Sequence, residues 1–497
     1  MALSTNDLIA GAGEPLLGAF NALDWTTLSP MHGRVDLTPL VSASPSISTA
    51  ANTVQLTYER LSAIDRSQLV PQISEPLSRA LGTLDNFRIP LRAAADASRV
   101  LPSMMGSDGP REYLLLIQNN AELRATGGLP GALAQLHIDK GVMQLRSETS
   151  GASLGRFQPP VYMDPAERSI YTDRVGTFIS DVNLTPNFPT AASAAKAMWE
   201  QRYGEHIDGV VAIDPVVLAH LLESSGPIPV AASKGQREDT AKLPSALSAD
   251  NVVQVLLSDA YLNIADNSSQ DAYFAAASKS VFDSLSSGKI SGEGLVQALV
   301  KSAQENRLYV WSDHKEEQEV LKSSAVGGAV LGATAGGASF GVYFNDGTGA
   351  KMDYYVRREV QLIKSCSEDG YSNYVVRVKL TNTAPSNAAV VLPEAVTGGG
   401  RYGVSPGSVQ TNIVVYGPSQ SLLNGASRDA EQISFGSYTH SDRPVGIVTT
   451  KLSPGQTGEI EMKFVKVVQS ALPSLVVTPT AQPVDQVKLP VQVAECE

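Results

Sequence analysis

The chemistry in this chain concentrates in one stretch, Gln118–Gly128, which reads Gln-Asn-Asn-Ala-Glu-Leu-Arg-Ala-Thr-Gly-Gly. Asn119 and Asn120 can donate and accept hydrogen bonds, and Thr126 adds a hydroxyl. Glu122 can hold a metal or act as a base. Arg124 offers a planar fork that fits two oxygens of one phosphate. Gly127 and Gly128 let a ligand approach the backbone. A plainer account stands beside this one. The amides close an irregular loop, and Arg124 is taken up by Glu122 or Asp181 in a structural ion pair.

The elements that must position these residues can be read around them. Tyr113–Gln118 is an apolar run of the buried-strand kind. Ala132–Asp139 and Val142–Glu148 read as two further strands about an Asp139-Lys140-Gly141 turn. Ser150–Asp181 is long for a loop, and such loops are often functional. Thr190–Tyr203 is a helix whose Ala191, Ala195, Met198 and Trp199 form an apolar stripe, expected to be core. Asp208–Ile213 is a short buried strand. Asp214-Pro215 then opens a helix as N-cap and first-turn residue, and Gly226 ends it. Strands alternating with helices indicate an α/β layered core, and in open α/β sheets ligands bind at the carboxyl ends of strands.

The 497 residues suggest several domains. Residues 1–105 read as a helical region and 106–326 as the α/β core. A Gly/Ala-rich connector follows at 327–340, then a β-sandwich at 341–468 and an extended, proline-bearing tail at 469–497. The net charge of −12 argues against general nucleic-acid binding, which needs a basic face. No apolar run reaches the length of a membrane helix. Met1-Ala2 precede sequence that reads as internal, so an N-terminal membrane anchor is expected in a full-length form. Cys366 and Cys496 lie in no CxxC pair. They form a disulfide in an oxidising compartment, or they are two inert thiols. Nucleotide-loop, zinc-protease and serine-hydrolase signatures are missing, and the six histidines are scattered.

Four stretches carry a family resemblance: Gln118–Gly128, Thr185–Pro189, Asp208–Ile228 and Asn345–Tyr355. They resemble the bacterial family known as domain of unknown function 4012, the last in the manner of its actinobacterial members. More distantly, the order of elements from Tyr113 to Leu285 is similar to that of LytR-CpsA-Psr proteins. Those enzymes transfer glycopolymers from polyprenyl pyrophosphate carriers to the cell wall. Arg124-Ala125-Thr126-Gly127 stands where that family has Arg-Ser-Asp-Thr, and Arg146-Ser147-Glu148-Thr149 where it has Pro-Arg-Asp-Thr. The helical stretch after Asp250 lacks that family's arginines.

The resemblance implies an extracytoplasmic, cell-envelope protein, membrane-anchored in its full-length form. Its α/β domain would bind a glycan or a polyprenyl pyrophosphate-linked glycopolymer, and its β-sandwich would serve assembly or partner contacts. The alternative is a phosphotransferase that attaches a glycopolymer to the wall. The resemblance implies a phosphate gripped by Arg124 and Arg146, with Arg156 as a further arginine, a magnesium ion held by Asp181 with Glu122, and Asn119, Asn120 and Asn183 orienting the ligand; it implies no other cofactor.

Overall fold

The computed structural model describes residues 29–31, 33–64, 69–161, 163–230, 240, 242–332, 337–365, 370–469 and 472–494. Cys366 and Cys496 lie outside the described residues, as does the expected bridge between them.

Among the described residues, two long helices come first, α1 (Thr38–Ser62) and α2 (Pro71–Met104). Ala50, Val54 and Leu61 of α1 pack on Leu77, Leu81 and Leu84 of α2, the three- and four-residue spacing of an apolar helix face.

The α/β core is built on a five-stranded sheet. Its strands are β1 (Arg111–Asn119), β2 (Leu129–Asp139), β3 (Val142–Ser150), β4 (Gly209–Ile213) and β5 (Tyr309–Ser312), in the order β3-β2-β1-β4-β5. β1 pairs antiparallel with β2 and parallel with β4, with Leu114 opposite Val210. The two apolar runs therefore lie side by side in one sheet. Leu114, Leu116 and Leu133 point to one face, where α4 (Phe188–Tyr203) lays Ala191, Ala195, Met198 and Trp199 on them. The short helix α3 (Pro165–Tyr171) precedes it in the chain. Tyr113 and Ile138 point to the other face, against Val100 and Met104 of α2 and against Val320 and Leu321 of α8 (Lys315–Lys322). Period-two alternation thus covers both sides of β1 with helices.

β4 feeds α5 (Pro215–Ser225) through Asp214, whose carboxylate accepts from the N–H groups of Val216 (3.0 Å) and Val217 (3.1 Å). The helix stops at Gly226, at φ 74°. The helices α6 (Asn267–Ser286) and α7 (Gly292–Gln304) pack behind it.

The C-terminal part is a sandwich of two sheets. One has the order β11-β10-β14-β8-β7-β16 and the other β12-β13-β9-β6-β15. These strands are β6 (Ser339–Asp346), β7 (Val356–Ser365), β8 (Ser372–Asn382), β9 (Val409–Tyr416), β10 (Leu422–Arg428), β11 (Glu431–Ile433), β12 (Gly436–His440), β13 (Arg443–Leu452), β14 (Thr457–Val467), β15 (Ser474–Val477) and β16 (Gln492–Val493). Phe340, Phe344, Ile413, Val376, Met462 and Phe464 fill the space between the sheets. The polar strands β10 to β12 carry little apolar alternation, and sequence periodicity therefore does not reveal them.

The tail works as a strap. β15 adds a parallel strand to β6 of one sheet, and β16 adds one to β7 of the other. Its prolines suppress any strand signal in the sequence, yet Leu475 is 5% exposed and sits in the sandwich core. Leu475→Ala is expected to destabilise the protein by about 2–5 kcal/mol. Chemical denaturation of both forms measures this, and a change below the 0.5 kcal/mol typical of surface positions would show that the strap is not part of the fold.

Candidate functional site

The loop after β1 stands at the carboxyl ends of the parallel strands β1 and β4, where a ligand is expected. The structure fills that crevice with the protein itself. The Leu123 N–H donates to Asp353 Oδ2 (2.8 Å), and the Leu123 carbonyl accepts from Asp346 N (2.9 Å). The Asp353 N–H donates to the Ala121 carbonyl (3.1 Å), and the Thr478 hydroxyl to the Ala125 carbonyl (2.9 Å). The loop is thus paired to the sandwich at two places, Asn345–Tyr355 and the strap.

Each loop side chain has an internal partner. Asn119 donates to the Tyr261 hydroxyl (2.7 Å), and its side-chain Oδ1 accepts from Ala121 N (2.9 Å). Asn120 donates to Asp214 Oδ2 (3.0 Å) and to the Pro479 carbonyl (3.3 Å). Thr126 accepts from Gln118 (3.1 Å) and from Asn183 (3.0 Å), and Asn183 also donates to the Gly128 carbonyl (2.7 Å). Glu122 lies 2.8 Å from Lys351 Nζ. Burial pushes its carboxyl up, but Lys351 and Arg124 together hold it below the usual range. The glycines admit the protein's own backbone, and no ligand is needed to account for them. A Cβ on Gly128 would lie 2.2 Å from the Asn119 carbonyl carbon, and Gly127 sits at φ +138°.

Arg124 does not point into an open cleft. Its Nη1 donates to the Leu123 carbonyl (2.9 Å), its Nε to the Ser180 carbonyl (3.3 Å) and its Nη2 to Asp181 Oδ1 (3.0 Å). Its side chain is 8% exposed and that of Asp181 1%. The plainer account of Arg124 is the one the geometry favours. Arg174 pairs with the other Asp181 oxygen. Two guanidinium groups on one carboxylate do not fit a magnesium ion there. Among the described residues, no group of three or more His, Cys, Asp or Glu is placed to hold a metal.

Local sequence reading misses the residues that complete this joint. Arg307, 1% exposed, donates to Asp214 Oδ2 (2.7 Å) and to the carbonyl of Thr480 (2.9 Å). Asp214 therefore caps α5 and also ties the α/β core to the strap. Arg358 pairs with Asp353, both fully buried, and its N–H donates to Gln482 Oε1 (2.8 Å). Burial pushes the Asp353 carboxyl up, against the pull of Arg358 on one oxygen and the Leu123 N–H on the other. Asp346 accepts from Thr348 N and Gly349 N, each at 2.8 Å. Burial and the nearby Asp353 carboxylate push it up to about 7.

Arg146 belongs elsewhere. It is the extra residue of a β-bulge, since Gln135 faces Ser147 and Leu136 faces Leu145. A bulge re-aims its side chain, and here Arg146 Nη1 donates to Glu112 Oε1 (2.6 Å). His137 Nδ1 lies 2.7 Å from the same oxygen, and Gln135 donates to Glu112 Oε2 (3.1 Å). Glu112 is the second residue of β1 and Asn119 its last. At about 3.3 Å per residue, some 23 Å of strand separates the two ends. Arg124 and Arg146 therefore do not share a site. Among the described residues, Arg156 makes a backbone bridge to Phe178.

Around Arg146 lies an open cleft of about 680 Å³. It forms where α4 ends at Tyr203 and leaves the sheet face beyond it uncovered. Glu112, Gln135 and Glu148 line one side, and Tyr203, Glu205 and His206 the other. Tyr203 is 43% exposed, and its ring rests on Trp199 at 4.5 Å between centroids. Trp199, 2% exposed, also lines the cleft, and its indole N–H has no acceptor among the described residues.

Residues 108–261 match the protein family described as "Protein of unknown function (DUF4012)". A search of curated proteins found no match. Among solved structures, the chain is similar to the Lin1025 protein from Listeria innocua, with 11% identity and a TM-score of 0.27, over 46% of this chain and 85% of that one. It is also similar to protein gbs0355 from Streptococcus agalactiae, with 12% identity and a TM-score of 0.29, over 46% and 76%. A putative nutrient binding protein from Legionella pneumophila follows, at 9% identity and a TM-score of 0.16, over 26% and 43%.

Two outcomes are expected. Arg124→Ala leaves Asp181 buried without one of its cations, so it is expected to cost about 3–5 kcal/mol. Arg124→Lys is expected to recover little of this, and pyrophosphate is expected to leave the wild-type melting temperature unchanged. A pyrophosphate-induced rise that Arg124→Ala abolishes would restore Arg124 as a ligand contact. The second outcome concerns pH. Asp346 holds its proton in the fold more tightly than in the unfolded chain, so its stabilising contribution fades as pH rises from about 4 to about 7. Asp346→Asn cannot lose a proton. The stability difference, wild type minus variant, is expected to shrink over that range in melts at stepped pH, and a constant difference would contradict the assignment.

Proposed function

We propose that this is an extracytoplasmic cell-envelope binding protein whose α/β domain holds a glycan. The glycan lies in the cleft beside Arg146, and the β-sandwich is a rigid support used for assembly or partner contacts. The envelope location and the glycan rest on the sequence resemblance. The observation that carries the choice of site is the contrast between the two ends of β1. The carboxyl end is filled by the protein's own sandwich. The other end is open, with one exposed aromatic ring beside convergent carboxylate, amide and guanidinium groups.

That combination suits a sugar, whose apolar C–H face lies on an aromatic ring while its hydroxyls bond to planar polar side chains. Glu112 is held by three neighbours, so the cleft is organised before a ligand arrives. The alternative reading, transfer of a glycopolymer from polyprenyl pyrophosphate, needs a free guanidinium fork. The Arg124 fork is already bound to Leu123, Ser180 and Asp181, which supports binding over transfer.

Titration calorimetry with soluble cell-wall oligosaccharides, with undecaprenyl pyrophosphate in detergent as a parallel ligand, tests the proposal. Wild type is expected to bind an oligosaccharide, and Tyr203→Ala to weaken it by roughly tenfold, equivalent to about 1.4 kcal/mol, with an unchanged melting temperature. Binding of the pyrophosphate without any saccharide would move the reading to the alternative. Binding that is indifferent to Tyr203→Ala would place the site elsewhere.

A further inference from the structure

The helix α7 carries more apolar surface than its neighbours cover. Ala298 packs on Val217 and Leu221 of α5, Leu295 rests against the same cluster, and Ser302 lies 3.0 Å from His220 Nδ1. A second apolar stripe, Val296, Leu299, Val300 and Ala303, follows the three- and four-residue spacing of a helix face. At 3.6 residues per turn it lies about a third of a turn from the first. Among the described residues its members join none of the hydrophobic cores. Val300 is 48% exposed, and the other three are half-buried. The polar side of α7 is elsewhere. Gln297 donates to Glu293 (3.0 Å), and Lys301 Nζ lies 3.0 Å from Glu223. The second stripe is therefore an unpartnered face and not the helix's solvent side.

The chain itself arrives at this place. The Gly292 N–H, in the first turn of α7, donates to the Ser29 hydroxyl (2.7 Å), and the Gly33 N–H donates to the Ser286 carbonyl (2.9 Å). Residues 1–28 precede that contact and lie outside the described residues. Their sequence is apolar at helix-face spacing, with Leu16, Leu17, Phe20 and Leu23, and it carries only Glu14 and Asp24 as charges between Leu8 and Leu28. Even at the 1.5 Å rise of a helix, Leu8 to Leu28 spans about 30 Å, against about 20 Å for α7. We infer that residues 8–28 of this chain dock on the Val296–Ala303 stripe of α7, as a further layer on the α/β core. This inference is independent of the glycan reading.

Hydrogen exchange of the full chain, read by mass spectrometry, tests it. In wild type the amides of residues 8–28 are expected to exchange more slowly than in the free peptide by roughly tenfold or more, the worth of burying one apolar side chain such as Val300. Val300→Glu, the milder Val300→Ser and, from the other side, Phe20→Glu are each expected to speed that exchange, while the amides of β1 stay protected. If the glutamate at 300 also loosens β1, the serine variant and Phe20→Glu decide. Exchange at the free-peptide rate in wild type would overturn the inference. Protection lost in Phe20→Glu but kept in both position-300 variants would place the segment on another surface and overturn it too. Sedimentation velocity covers the remaining occupant. A wild-type dimer that Val300→Glu turns into monomer would give the face to a second copy and overturn the assignment.

Discussion

Buried charge has to be satisfied where it lies, and this requirement ties the two halves of the protein together. Arg358 and Asp353 are both fully buried, and so are Arg307 and Asp214. A lone buried charge would be far more costly than the pair. Neither pair is complete within one half. The second Asp353 oxygen takes the Leu123 N–H of the α/β core, and Arg307 reaches the strap carbonyl of Thr480. Separating the halves would leave charges and backbone groups without partners on both sides. Rigid docking of the sandwich on the core follows from that.

This docking decides which end of the sheet can act. In an open α/β sheet the loops after the strands usually form the binding crevice. Here Asn119, Asn120, Arg124, Thr126 and Asn183 stand in that place, and their donors serve the interior. The amino end of β1 is different. α4 stops at Tyr203, the β-bulge turns Arg146 toward Glu112, and the sheet face beyond stays open. A polar, preorganised surface is left where the helical layer runs out.

Much of the architecture was legible in the sequence because it follows from local patterning. The apolar run of β1, the stripe on α4 and the Asp-Pro start of α5 are each set by neighbours within a few residues. Each appears where periodicity and capping put it. The polar strands β10 to β12 and the proline-flanked β15 were not legible. Their pairing comes from distant strands and leaves no alternation in the chain.

The site divides the same way. The sequence by itself determined that the stretch from Gln118 to Gly128 is dense in hydrogen-bonding groups and glycine, and that it follows a buried strand. It could not determine what those groups bond to. Asp353, Arg358, Lys351 and the strap carbonyls are more than two hundred residues away in the chain, and only folding brings them to Leu123, Glu122 and Asn120. A ligand site and an interdomain joint ask for the same residue types, since both need donors and acceptors at close range. Which of the two a motif becomes depends on whether another part of the chain occupies the crevice, and that is decided by tertiary packing alone. The cleft is the converse case. Glu112, Gln135, Arg146, Tyr203 and Glu205 are scattered over β1, β2, β3 and the end of α4, so no local pattern announces them. They become a surface only because β1 pairs with β2, β2 with β3, and α4 ends where it does.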